Sequence, residues 1–125
     1  INYKNKKIIL DGSHNIDGAE KLNEFLKTKK IKPIVLFGML NNKKASLFLN
    51  KIKKRISKVL AIKIPDEKNS FEPKQINQIC DLHSIECEQV NKINDALKYF
   101  RSNQQKIYLI TGSLYLIGKV RKKLL

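Results

Sequence analysis

The sequence predicts an α/β protein: a doubly wound, mostly parallel sheet of about five to six strands with helices on both faces. Three observations carry this. Short apolar runs alternate with longer amphipathic stretches along the whole chain, which is the pattern of strands joined by crossover helices. The run at residues 33–37 is apolar throughout, as a strand buried on both faces must be. No internal repeat and no linker-like stretch interrupts the alternation, so residues 1–125 form one domain, a length typical of a single core.

The first strand is expected at residues 7–10. A helix over 16–29 follows, with Ala19, Leu22, Phe25 and Leu26 on one face. The second strand, 33–37, stops at Gly38. The next helix, 44–56, turns Ala45, Phe48, Leu49, Ile52 and Ile56 inward and leaves Lys51, Lys53, Lys54 and Arg55 to solvent. A third strand at 59–64 is closed by Pro65, and residues 66–73 make a polar loop. A helix from Glu72 or Pro73 to Leu82 follows, since Pro is tolerated in a first helical turn. Residues 85–90 make a short strand. Asn91 or Asn94 then caps a helix running to about Phe100, with Ala96, Leu97 and Phe100 inward. The last strand, 106–110, leads through Thr111-Gly112-Ser113 into a final helix ending near Leu124.

Composition excludes several classes. With 42% hydrophobic and 30% charged residues, the chain has enough apolar surface to fold. Its longest apolar stretch, about 33–40, is far short of the roughly 20 residues that span a bilayer. The first residues show no basic segment followed by an apolar core, so a cytoplasmic location is expected. The chain starts at Ile1 rather than Met, which suggests a piece of a longer protein. Lys+Arg 26 against Asp+Glu 11 gives a net charge of +15, which ordinarily raises nucleic acid as a partner. Yet 23 of those cations are Lys and only 3 are Arg, the residue suited to bidentate phosphate and base contacts. The lysines run from Lys4 to Lys123 without interleaved aromatics, so we expect a solvated surface and no specific nucleic acid. Cys80 and Cys87 match neither a zinc pair nor a redox pair and are expected as free, buried or half-buried thiols.

Open parallel sheets bind ligands beyond the carboxyl ends of their strands. Three segments fall at that edge. In Asp11-Gly12-Ser13-His14-Asn15, Gly12 allows a tight turn and Asn15 can cap the helix. Asp11 and His14 are left either for a ribose and a base or for the loop alone. In Gly38-Met39-Leu40-Asn41-Asn42-Lys43-Lys44, a lysine at a helix start opposes the helix dipole and invites an anion, unless it is simply solvated. In Thr111-Gly112-Ser113-Leu114-Tyr115, Ser113 is a natural N-cap whose hydroxyl and following amides could hold a carboxylate. Gly112 to Lys119 is not a phosphate-binding loop: five residues separate its glycines instead of four, Val120 follows the lysine, and the interval is apolar. His14 and His83 lie in no metal-ligand spacing, and no nucleophile has an adjacent base. The chain is therefore not expected to perform chemistry unaided.

Taken together, the three segments, with Leu116 and Val120-Arg121 closing the third, resemble the C-terminal domain of folylpolyglutamate synthase and dihydrofolate synthase, within the Mur ligase superfamily. The match in order and spacing covers essentially the whole chain, and Gly112-Ser113-Leu114-Tyr115-Leu116 is its most specific part. The resemblance implies a Rossmann-like domain, the C-terminal part of a larger two-domain ligase. That ligase would activate a folate or dihydropteroate carboxylate with ATP as an acyl phosphate, which the amine of L-glutamate attacks. It implies ATP contacts at Asp11, His14 and Asn15, and substrate contacts at Lys43, Ser113 and Tyr115. The phosphate-binding loop and the Mg2+ ligands would belong to an N-terminal ATPase domain, the monomer's own partner for this domain.

Some positions depart from the pattern. Ile16 stands where the family usually has Pro, Ser13 where Ala is common, and Asn42-Lys43-Lys44 where Asp-Lys-Asp is usual. An Arg that the family uses for ATP lies outside this sequence. Two other readings remain: the C-terminal domain of a Mur peptidoglycan ligase, and a stand-alone basic module binding nucleotide or RNA.

Overall fold

Strand β2 (Lys6–Asp11) begins the parallel sheet, and a short β1 (Asn2–Tyr3) pairs with it antiparallel. The remaining elements are α1 (Ile16–Lys29), β3 (Ile34–Phe37), α2 (Ala45–Ile52), β4 (Lys58–Ala61), α3 (Pro73–Leu82), β5 (Cys87–Gln89), α4 (Ile93–Ser102), β6 (Ile107–Thr111) and α5 (Leu114–Leu124). The computed structural model describes all of residues 1–125. The sheet has six strands in the order β1-β2-β6-β3-β4-β5, parallel except for β1.

Strand β1 is the element the sequence pattern misses. It is two residues long, and its turn uses Lys4 (φ 48°) and Asn5 (φ 67°), both left-handed, without the glycine that usually announces such a hairpin. The buried Lys6 beside it donates from its ammonium to the carbonyls of Asn103 and Gln105, tying the hairpin to the α4–β6 connection.

Other boundaries follow from hydrogen bonding. Asn15 caps α1, its side chain accepting from Gly18 N at 2.8 Å. The α4 cap is Lys92, between the two expected asparagines, because the Asp95 carboxylate accepts from Lys92 N at 3.2 Å and fixes the first turn there. Helix α2 is shorter than its apolar periodicity and passes into one 3₁₀ turn, Lys53–Arg55. Strand β4 ends at Ala61, where its partners Phe37 and Gln89 also end, while Ile62 and Ile64 continue the apolar run as core beneath the carboxyl edge.

Strand alternation divides the core into two layers. Val35, Phe37, Val59, Ala61 and Leu109 face α1, α2 and α3. Ile34, Leu36, Leu60, Tyr108 and Ile110 face α4 and α5. This division follows from crossover handedness: β2, β3, β4 and β5 advance in one direction across the sheet, so their right-handed crossovers share a face. The step from β5 back to β6 reverses direction and puts α4 on the other face. Cys80 and Cys87 are free thiols, buried and half-buried, packed into the first layer.

In the second layer Tyr108 stacks on Phe100 with ring centroids 4.2 Å apart and donates its hydroxyl to the Phe100 carbonyl at 3.2 Å. Burial pushes the Tyr108 phenol up to about 12, from 10.0 when free. A raised folded-state value means stability is complete below pH 10 and is lost as pH rises toward 12. Tyr108→Phe should therefore flatten the fall in unfolding free energy over that window, read by urea titrations at several alkaline pH values. Equal slopes for the two proteins would refute it.

Candidate functional site

The reversal in strand order creates a crevice. Strand β6 lies between β2 and β3, yet its following helix, α5, covers one face while α1 and α2 cover the other. The loops leaving these three strands must part at the carboxyl edge, and ligands bind at such switch points. A cleft of about 220 Å3 opens there, lined by His14 from the β2 loop, Leu40 and Lys43 from the β3 loop, and Ser113, Leu114 and Tyr115 after β6. An adjoining hollow of about 400 Å3 runs past Asn15, Asn42 and Lys44, and His14 and Lys43 wall both spaces.

Local bonding explains how each group is held. Asp11 ends β2 in register with Thr111 of β6, and its Oδ1 accepts from Ser13 N at 2.7 Å, closing the tight turn at Gly12. Gly112 N donates to Ser13 O at 3.1 Å, locking the β2 loop to the β6 loop. His14 Nδ1 lies 3.2 Å from Gly12 O. A carbonyl can only accept, so this contact is made with a proton on Nδ1, and Nε2 is left facing the cleft and the hollow. Ser113 caps α5 by accepting from Tyr115 N at 3.1 Å, which leaves its buried hydroxyl proton free to donate.

Lys43 is half-buried in a turn closed by its own N–H on Leu40 O at 3.1 Å. None of the five ion pairs in the chain involves it. It sits just ahead of α2, whose N-terminus at Lys44 has no side-chain cap. Two positive elements, an unpaired ammonium and the start of a helix, therefore converge on the cleft and the hollow beside it. Such a place favours carboxylate or phosphate oxygens.

The structure thus brings His14, Lys43, Ser113 and Tyr115 together around one cleft and sets Asn15 on the hollow next to it. Asp11 lines neither space; its visible work is to hold the loop that presents His14. Sequence reasoning missed Leu40 and Leu114. Leu114 is 66% exposed and Tyr115 55%, so the apolar interval that argued against a phosphate loop forms an open apolar wall instead. It also missed Thr111, whose hydroxyl is buried without a partner at the end of β6; its signal was a polar residue closing an otherwise apolar strand. No group of three His, Cys, Asp or Glu side chains is placed to hold a metal ion. No helix is long and apolar enough to cross a membrane.

Comparison with known proteins bears on this site. Residues 1–123 match the family described as dihydrofolate synthetase, C-terminal domain. A curated relative from Bacillus subtilis, dihydrofolate synthase/folylpolyglutamate synthase, is 33% identical over 126 residues; the match covers 94% of this chain and 27% of the relative. The chain therefore spans about a quarter of that relative's length. Among solved structures, folylpolyglutamate synthase from Thermotoga maritima is similar with a TM-score of 0.86 at 25% identity, over 99% of this chain and 29% of that one. The bifunctional folylpolyglutamate synthase/dihydrofolate synthase of Yersinia pestis, solved with AMPPNP and a Mn ion, has a TM-score of 0.80 at 19% identity, over 94% of this chain and 28% of that one, and shares the fold.

Proposed function

The chain belongs to the dihydrofolate synthetase C-terminal domain family, and from that premise we propose that it is the glutamate-ligase domain of a larger ATP-dependent enzyme. The enzyme joins L-glutamate to a dihydropteroate or folate carboxylate. The observation that carries this reading is the convergence of His14, Lys43, Ser113 and Tyr115 on one cleft at the sheet's switch point.

In this reading the γ-phosphoryl group of ATP passes to the acceptor carboxylate, ADP leaves, and the glutamate amine attacks the acyl carbon and expels phosphate. The unpaired Lys43 ammonium holds a carboxylate or the acyl-phosphate oxygens. The Ser113 hydroxyl donates to the same group, and Tyr115 with Leu40 and Leu114 shields it from water. His14 and Asn15 face the nucleotide across the hollow, where the imidazole edge that carries Nε2 meets a base or ribose. Asp11 fixes this loop through Ser13 N with one carboxylate oxygen and offers the other to the nucleotide.

Mg2+ would neutralise phosphate charge during transfer. Phosphate and metal binding fall to an N-terminal ATPase domain of the same protein. The exposed Leu114 and Tyr115 give that domain an apolar surface to close upon. We place the enzyme in the cytoplasm as a monomer.

The test is ADP release by the full-length protein with ATP, magnesium and glutamate, with dihydropteroate or tetrahydrofolate as acceptor. Release that needs both glutamate and a pterin is expected. Turnover with a muramoyl peptide alone would move the domain to the cell-wall ligases, and silence with every acceptor would remove the ligase reading.

A further inference from the structure

Cys80 and Cys87 lie seven positions apart, a spacing that suits no redox motif, yet the fold brings their side chains to one place. Cys87 is the first residue of β5 and stands in register with Val59 of β4. Register partners on neighbouring strands point to the same face of a sheet, so Cys87 faces α3 together with Val59 and packs against the first core layer. Cys80 enters the same layer from α3, one turn after Ile76 on the buried face of that helix. The chain between the two folds back at once: Ser84 takes a left-handed conformation, φ 57°, and Ile85 N donates to Cys80 O at 2.9 Å. The end of α3 and the start of β5 therefore meet at the cysteines.

The two thiols are unequal. Cys80 is 0% exposed, whereas Cys87 is half-buried on the edge strand of the sheet, where a small molecule in solvent can reach it. The hydrogen bond from Cys80 holds the Cys87 thiol below its ordinary value; burial and the Asp81 carboxylate oppose this, and the Lys58 ammonium supports it. The same bond, with burial, pushes the Cys80 thiol up. Lys58 is kept near Cys87 by Glu86 at 3.4 Å and Glu88 at 3.8 Å, the residues that flank Cys87 in sequence. An accessible thiol with thiolate character beside a shielded thiol that keeps its proton is the arrangement of an attacking and a resolving cysteine.

We propose that Cys87 and Cys80 form a reversible thiol–disulfide site that reacts with low-molecular-weight disulfides and closes into a cross-link between β5 and α3. The Cys87 thiolate attacks one sulfur of the small disulfide, which breaks its S–S bond, releases one thiolate and leaves a mixed disulfide on Cys87. Cys80 then gives up its proton and attacks the Cys87 sulfur, expelling the second thiolate. Two protein thiols are oxidised to one disulfide, one small disulfide is reduced to two thiols, and the two protons pass to the released thiolates. Neither cysteine lines the cleft or the hollow beside it, so the site is independent of the ligase reading. Its effect is on the fold: β5 is three residues long at the open edge of the sheet, and the cross-link fastens it to α3.

Lys74 and Lys92 are the nearest trypsin sites on either side, so both cysteines fall in one peptide, residues 75–92. The full-length protein is incubated with oxidised glutathione, denatured, alkylated and digested, and this peptide is weighed. It should carry no alkyl group, weigh two hydrogens less than the dithiol form, and return to the doubly alkylated form after treatment with a thiol reductant. Cys80→Ser should stop the reaction with one glutathione on Cys87, and Cys87→Ser should leave Cys80 unmodified. At a fixed glutathione poise the ratio of disulfide to dithiol should be about tenfold higher in the native protein than in urea, because the fold holds the sulfurs together. A doubly alkylated peptide after oxidation, a mixed disulfide that persists on Cys87 of the parent protein, or an equal ratio in urea would each overturn the proposal.

Discussion

Gly112→Ala should lower the thermal unfolding midpoint by about 10 °C, corresponding to roughly 3 kcal/mol in a chain of this length. Gly112 has φ +111°, a conformation that side chains rarely adopt, and a Cβ there would lie 2.3 Å from the Gly38 carbonyl oxygen and 3.0 Å from a Phe37 ring carbon. The first contact is with backbone, so no rotamer change relieves it. Strain in such a conformation costs about 1–2 kcal/mol and a forced overlap about 1–3. The three site loops meet at this residue: Gly112 N also donates to Ser13 O, and Gly38 begins the loop that carries Lys43. The same substitution at Gly118 is the control, because a Cβ there meets nothing within 4 Å in the middle of α5. Gly118→Ala should raise stability by about 0.5–1 kcal/mol through helix propensity alone. A Gly112→Ala midpoint unchanged from the parent would show that the loops are not held by this approach.

These two glycines mark what a one-dimensional reading can reach. Alternating apolar runs and amphipathic stretches located the five parallel strands and the five helices, because burial on both faces of a sheet leaves a continuous apolar signature, as at Val35 and Leu36. The cap at Asn15 and the cap at Ser113 were readable because both use a short oxygen acceptor at a fixed offset. Strand β1 was not, since two residues and a Lys4-Asn5 turn carry no period. Nor was the bonding within Asp11-Gly12-Ser13-His14-Asn15: spacing leaves Asp11 and His14 equally available, and only the 2.7 Å bond to Ser13 N shows that one Asp11 oxygen holds the loop. A hollow of about 890 Å3 lined by Lys63, Lys68, Lys92, Lys119, Lys122 and Lys123 was invisible for a related reason. Its members come from the β4 loop, α4 and α5, segments that sequence separation keeps apart and strand order brings together.

Lys43→Ala in the full-length enzyme should move stability and activity in opposite directions. The Lys43 ammonium has no carboxylate partner and stands before the uncapped N-terminus of α2, where a cation is unfavourable by a few tenths of a kcal/mol. Its removal should therefore leave the unfolding midpoint unchanged or slightly raised. Turnover should respond differently, because this is the only cation lining the cleft, and an anion there loses a charge-assisted bond of about 1.5–3 kcal/mol. That corresponds to a fall in kcat/KM of about 10- to 150-fold, measured by ADP release with glutamate and pterin both varied. Lys43→Arg keeps the charge and should recover part of the loss, whereas Lys43→Met keeps most of the side-chain length without the charge and should resemble Ala. If all three variants turned over within about twofold of the parent, Lys43 would be a solvated surface lysine and the anion would have to be held elsewhere. A drop in activity matched by a drop in the midpoint would instead assign Lys43 to the loop's structure, since a residue kept for binding against the helix dipole cannot also be one the fold depends on.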